Sequence, residues 1–176
     1  MSQRYTRIAI GLHWIMAIGF ISMFFLGFYM QSLPFSPNKL QVYSWHKWAG
    51  VSLFLLALLR LVWRLSHPAP ALPQSMTPFS QKLAHMGHYA LYALMFAVPL
   101  SGWLMSSAMG FQTVWFGVLP LPDLIDRNKE LANLLAATHG YLNIGFIALV
   151  AGHFLVALKH QFIDKDKLLV RMKSLL

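Results

Sequence analysis

The chain has 176 residues, 57% hydrophobic and 11% charged, with a formal net charge of +9 and no cysteine. That excludes an ordinary soluble domain, in which about a quarter of residues are charged, and it excludes disulfides, thiolate metal sites, iron–sulfur clusters and thioether-linked cofactors. The length suits one domain, residues 1–176, built on about four membrane helices. The basic excess therefore reads as membrane orientation and not as nucleic-acid binding.

The apolar run from Ile8 to Met30 is the first expected helix, with Arg4 and Arg7 before it and His13 and Trp14 in its first turns. It exceeds the apolar core of a signal peptide, and no small-residue cleavage motif follows it directly, so it reads as a retained span. Residues 31–40, with Pro34, Pro37 and Asn38, read as a short loop. A second helix is expected over 42–65, with His46 and Lys47 near its start and Arg60 and Arg64 near its end. The proline-dense stretch from His67 to Ser80 is a surface connection. A third helix is expected over 81–108, with His85 and His88 early and a kink at Pro99. Gly110 to Lys129, which carries Phe111, Trp115 and Phe116, reads as a loop on the membrane interface. The fourth helix is expected over 133–160, and the basic, amphipathic tail 164–176 suits the membrane surface.

The fourth segment organises the rest. Its apolar interior is long enough to cross a bilayer, yet it holds His139 and His153. A titratable ring inside a membrane helix is costly and marks a functional site by default. Fourteen residues at about 100° each turn about 1400°, about 40° short of four full turns, so both rings leave one face roughly 21 Å apart along the axis. One helix can thus offer an axial ligand to each of two haems, one near each membrane surface.

Orientation follows from Lys and Arg. The side holding both termini and the second connection carries Arg4, Arg7, Arg60, Arg64, Lys82, Lys159, Lys165, Lys167, Arg171 and Lys173; the other carries Lys39, Lys47, Arg127 and Lys129. The first group is the larger, so both termini are expected in the cytoplasm. Depth then pairs the histidines. His13 and His153 each lie about six residues, or roughly 9 Å, from the cytoplasmic ends of their helices. His46 and His139 match near the outer surface.

Two imidazoles on opposite sides of a haem iron suit electron transfer, because no position stays open for a substrate. A lone histidine near a helix end is usually interfacial, but four at matched depths on three helices are better explained as ligands. Gly11, Gly50, Gly140 and Gly152 would let a flat macrocycle approach the backbone. His85 and His88 share a face and compete with His13 as inner ligand; propionate or quinone-pocket roles are preferred for them. His160 is either solvated or part of a quinone pocket. His67 reads as solvated. Arg60 and Arg64, one turn apart, are positive-inside anchors whose shared face also suits a propionate. The ten methionines read as packing.

These motifs resemble the prokaryotic cytochrome b561 family. The matching stretches are Arg7 with IGLHW at 10–14, WHKWAG at 45–50, RLVWR at 60–64, LAHMGHYALY at 83–92, ATHGYLNIG at 137–145 and GHFLVALKHQFIDKDKLLVRM at 152–172. The resemblance covers nearly the whole chain except residues 111–130, which carry no family motif. It implies an all-α bundle of four transmembrane helices in the bacterial inner membrane, holding two b haems by bis-histidine ligation. It also implies electron exchange with ubiquinone at the cytoplasmic side, where His85, His88, Lys159 and His160 are the candidate quinone contacts.

One branch of that family oxidises superoxide at the outer face and passes the electron to ubiquinone, which makes superoxide:ubiquinone oxidoreductase activity the leading expectation. Lys47 beside His46 would attract the anion, against the opposing field of Asp123, Asp126 and Glu130. The alternative is an electron-transfer and anchor subunit for a periplasmic dehydrogenase or hydrogenase. Expected partners are membrane lipid, quinone and, under the alternative, a periplasmic redox protein. A transporter with a histidine proton relay is the remaining class, and it predicts a colourless protein.

Overall fold

The computed structural model describes residues 4–73, 76–166 and 168–172. Four long helices dominate: α1 (Arg7–Ser32), α2 (Pro37–Ser66), α3 (Pro78–Ala108) and α4 (Lys129–Lys159). Each is long and apolar enough to cross a membrane, with mean hydropathy from 1.4 to 2.0 over its best window. Their apolar side chains face outward: Ile18, Phe25, Phe28, Ile144 and Phe154 are all at least 60% exposed. In water such a surface would drive association, whereas in lipid it is the expected exterior.

The helices start earlier than the apolar runs, for a common reason. Ser36 caps α2 by accepting from Lys39 N, and Pro37 sits in its first turn, where its missing N–H costs nothing. Thr77 and Pro78 repeat the arrangement at α3. Asn128 caps α4 through Leu131 N, and Glu130 lies favourably in the first turn. Residues read from sequence as loop therefore become first turns, and the α1–α2 connection shrinks to residues 33–36. Helix α3 continues through Pro99.

Helix α1 packs on α2, and α3 on α4, while α2 and α3 join the halves. Gly19 permits the α1–α2 contact, because a Cβ there would lie 2.6 Å from Leu53 Cδ2. Helix α4 meets α1 and α2 through ring contacts rather than close backbone packing. The buried core lies mid-depth: Met16, Phe20, Leu53, Ala57, Val98 and Phe146. Phe146 is 1% exposed and takes the edges of Phe20 and Phe24, with ring centres 5.0 and 5.5 Å away.

The described residues near both termini and in the α2–α3 connection gather at one end of the bundle, here the terminal end. Trp14 Nε1 donates to Met172 O (2.9 Å), Arg171 Nη1 to Ala71 O (2.6 Å) and Trp63 Nε1 to Thr6 Oγ1 (2.9 Å). The tail is not one continuous helix. It forms a π-turn over His160–Asp164, a left-handed Lys165 (φ 51°) and a 3-10 turn over Leu169–Met172. Lys167 and Lys173 lie outside the described residues. His67 is exposed but ordered, its ring stacked on Trp63 at 4.0 Å.

At the opposite end, residues 110–127 hold a small hairpin, β1 (Val114–Trp115) with β2 (Leu119–Pro120). It is tied to α2: Trp48 Nε1 donates to Val114 O (2.6 Å), and Trp115 Nε1 to Trp48 O and Ser52 Oγ.

Candidate functional site

The fold brings the depth-matched histidines together. The His13 and His153 ring centres are 6.3 Å apart with planes at 70°. Those of His46 and His139 are 6.4 Å apart at 83°. An imidazole nitrogen lies about 2 Å from a metal it ligates and its ring centre roughly 1 Å further, so two rings sharing one ion from opposite sides have centres about 6 Å apart. Both pairs match that separation. Each of the four rings is partly buried.

The two pairs differ in what surrounds them. At the opposite end, His139 Nδ1 lies 3.1 Å from Val98 O. A carbonyl only accepts, so Nδ1 carries the proton and Nε2 keeps its lone pair free for a metal. Ser101 Oγ donates to the same carbonyl (2.7 Å) and lies 2.9 Å from Nδ1. Two glycines edge these rings: a Cβ on Gly102 would lie 3.1 Å from His139 Cε1, and one on Gly27 would lie 3.7 Å from His46 Cε1. His46 Nδ1 is buried without a hydrogen-bond partner, which is costly for a polar atom unless a ligand or water meets it.

Sequence reading missed Ser101, Gly27 and Gly102. Besides Gly11, it singled out Gly50, Gly140 and Gly152 instead. A Cβ at Gly140 or Gly152 would meet nothing within 4 Å, and one at Gly50 only Met23 Cε at 3.8 Å, so protein packing requires none of these three.

At the terminal end, a third imidazole joins. The His88 ring centre lies 5.6 Å from that of His153, and His88 Nδ1 donates to Ala84 O (2.8 Å), which again leaves Nε2 free. Arg60 Nη1 donates to Ala9 O (3.2 Å), and the Arg64 guanidinium lies over the Tyr92 ring, 5.8 Å from its centre.

The other sequence candidates sit elsewhere. His85 is exposed on α3. Lys159 Nζ reaches both oxygens of Asp164 (2.8 and 2.6 Å). His160 Nδ1 lies 2.6 Å from Asp166 Oδ2 and 3.1 Å from Asp164 Oδ2, as ion-pair contacts without hydrogen-bond alignment. Lys159 and His160 thus belong to an acid–base cluster closing α4. Lys47 Nζ donates to Ser106 Oγ, Phe111 O and Gln112 O (3.2–3.3 Å). Two of these bonds hold Phe111 and Gln112 and the third reaches α3, so its N–H groups are engaged within the protein.

Facing histidines, stacked at two depths inside four apolar helices, define the class: a membrane cytochrome b, whose paired imidazoles suit haem iron. The chain belongs to the prokaryotic cytochrome b561 family, whose description matches residues 4–174. It is 35% identical over 171 residues to cytochrome b561 homolog 2 of Escherichia coli (strain K12), covering 97% of this chain and 91% of that protein. It is 29% identical over 176 residues to the probable superoxide oxidase CybB of Yersinia pestis, covering 98% and 97%. Cytochrome b561 homolog 1 of Escherichia coli (strain K12) is 29% identical over 175 residues, covering 97% of each. Membership makes this a multi-pass bacterial membrane protein of a family that binds haem b.

Proposed function

We propose that the protein holds two b haems, one between His13 and His153 and one between His46 and His139, and carries electrons between the membrane faces. The observation behind this is the pair of facing-ring separations, 6.3 and 6.4 Å, at two depths of one bundle. Bound haem would supply a one-electron centre at each pair. His13, His153, His46 and His139 would hold the iron through ring nitrogens, the Val98 carbonyl would keep His139 Nε2 unprotonated, and Phe20, Leu53 and Phe146 would fill the space between the pairs. Phe146 lies seven residues from each α4 histidine, and Phe20 and Leu53 lie seven from His13 and His46. This apolar layer keeps water out of the region between the two sites.

The terminal end carries most of the basic residues and is assigned to the cytoplasm, in the inner membrane. The reaction proposed is oxidation of superoxide at the opposite, periplasmic face and reduction of ubiquinone at the terminal end. Two superoxide anions yield two dioxygen molecules and two electrons; one ubiquinone takes those electrons and two protons. Support comes from the relative named as a probable superoxide oxidase. His88 joins the terminal-end rings, and His85, Lys159 and His160 lie toward the same surface, where they would donate to a quinone carbonyl or pass protons to it.

The test is a pyridine haemochrome assay for two haems per chain, followed by superoxide-driven ubiquinone reduction by the purified protein. His160→Ala or His88→Ala should keep both haems and their reduction by superoxide but slow reoxidation by ubiquinone. Slowed reduction with unchanged reoxidation would reverse the two faces.

A second reading is favoured by one observation. The hairpin end exposes Phe111, Phe116, Val118 and Leu119, each more than half exposed. Such a surface suits a periplasmic redox partner, with the protein as its anchor and electron-transfer subunit. A stoichiometric partner on purification, with no superoxide-driven activity, would select this reading.

A further inference from the structure

Arg60 and Arg64 lie one turn apart on α2, both partly buried, in a chain with five acidic residues. Asp164 and Asp166 are engaged by Lys159 and His160 at the end of α4. Asp123, Asp126 and Glu130 belong to the hairpin end and the start of α4. Among the described residues no carboxylate pairs with either arginine. Two guanidinium groups in a membrane span without a counter-anion are costly, and side chains of this kind are normally paired.

Both arginines line a small cavity whose residues Ala9 and Tyr92 lie one helical turn from His13 and His88. Its polar side chains are Arg60, Arg64, Trp63, His67, Tyr5 and Tyr92, with no carboxylate among them. Arginine and tryptophan only donate, and Trp63 Nε1 is already committed to Thr6 Oγ1. The Tyr92 hydroxyl is buried and has no hydrogen-bond partner. An orphan of that kind is costly unless something meets it. The cavity therefore combines two positive charges, an unused hydroxyl donor and a shortage of acceptors. Its missing component is an oxyanion.

We propose that Tyr92 completes, with Arg60 and Arg64, the receptor for one propionate carboxylate of the haem between His13 and His153. This rests on the di-haem reading and adds to it a residue on α3. The arginines neutralise the carboxylate, with the fork geometry that suits it, and Tyr92 O–H donates to it. Arg64, held over the Tyr92 ring, ties the two donors together. The helix bringing Tyr92 also brings His88, so α3 would grip the cofactor's edge while α1 and α4 hold its iron. A phospholipid headgroup offers the same oxyanion chemistry from a different source, and the experiment separates the two.

The experiment is an optical redox titration of Tyr92→Phe and Arg64→Gln, with haem counted in each. The terminal-end haem is identified as the one that His153→Ala removes. Loss of a donor leaves the propionate charge less neutralised, which favours oxidised iron. Tyr92→Phe should move that haem's reduction equilibrium about three- to tenfold toward the oxidised form, the worth of one hydrogen bond. Arg64→Gln should move it further, and the other haem should not respond. The propionate bending mode in resonance Raman spectra should shift with it.

The same shift is expected in delipidated protein in a maltoside detergent and in phospholipid nanodiscs. A shift seen only with phospholipid would assign the site to a headgroup and overturn the proposal. Unshifted potentials in Tyr92→Phe protein with two haems would remove Tyr92 from the site while leaving the di-haem reading intact. Fewer than two haems in the unsubstituted protein would refute that reading, and this one with it.

Discussion

The two histidine pairs have nearly the same ring separation but opposite surroundings. The pair at the hairpin end is held by neutral groups: a backbone carbonyl and a serine on His139, and glycines at the edge of both rings. The pair at the terminal end has a third imidazole, two arginines and a tyrosine beside it. One site is built to fix ring orientation, and the other to place positive charge and exchangeable donors around the rings. Fixed rings suit a centre that only passes electrons on. Under the proposed function, charge and donors suit the end where a quinone would also take protons.

The largest expected effect is loss of a whole site. His139→Ala or His153→Ala should each reduce haem from two per chain to one, measured by pyridine haemochrome. Loss of both haems from either change would show that the bundle cannot fold half-loaded, and the two regions would not be independent.

A sharper test compares the partners on α1 and α2. His13→Ala should retain more haem than His46→Ala, because the His88 ring is already 5.6 Å from that of His153 and can take the freed position. The double variant His13→Ala/His88→Ala should abolish that excess. Equal losses in the single variants would mean that the third imidazole makes no difference between the ends. His88→Ala or His85→Ala alone should leave two haems.

Gly102→Ala should act on the hairpin end only. Its Cβ would sit 3.1 Å from His139 Cε1, and overpacking of that kind costs about 1–3 kcal/mol. The readout is faster haem loss to an apo-globin scavenger from that site, with the terminal-end band unchanged. Ser101→Ala should be milder, about 1 kcal/mol or less, because Val98 O still accepts from Nδ1. A large effect there would make the hydroxyl, rather than the carbonyl, the group that orients the ring.

Helix boundaries and partner choice were legible to different degrees. Pro37 and Pro78 read as loop signals because proline ends helices; behind Ser36 and Thr77 they begin them. The contacts of Lys47 and Lys159 were not legible for a related reason. A basic residue near a membrane surface looks free in sequence, and only the folded chain shows which acceptors lie within reach: Phe111 O and Gln112 O for one, Asp164 for the other. Residues 111–130 carry no motif that stands out in the sequence, yet the family match spans them, and they hold a hairpin fastened to Trp48 and Lys47.

Helix rise and twist are constants, so a sequence with four apolar runs determines depth along the membrane normal. His13, His46, His139 and His153 could therefore be matched by counting residues from helix ends. Rotation about each axis and the order of helices around the bundle are set by side-chain interdigitation between elements distant in sequence, which counting along one helix does not reach. That packing brought α3 against α4. It placed Ser101, Gly102 and the Val98 carbonyl on His139, His88 beside His153, and Tyr92 under Arg64. The four paired rings followed from periodicity along single helices; the groups that distinguish one pair from the other came from the third helix, and only its docking decided which pair each would serve.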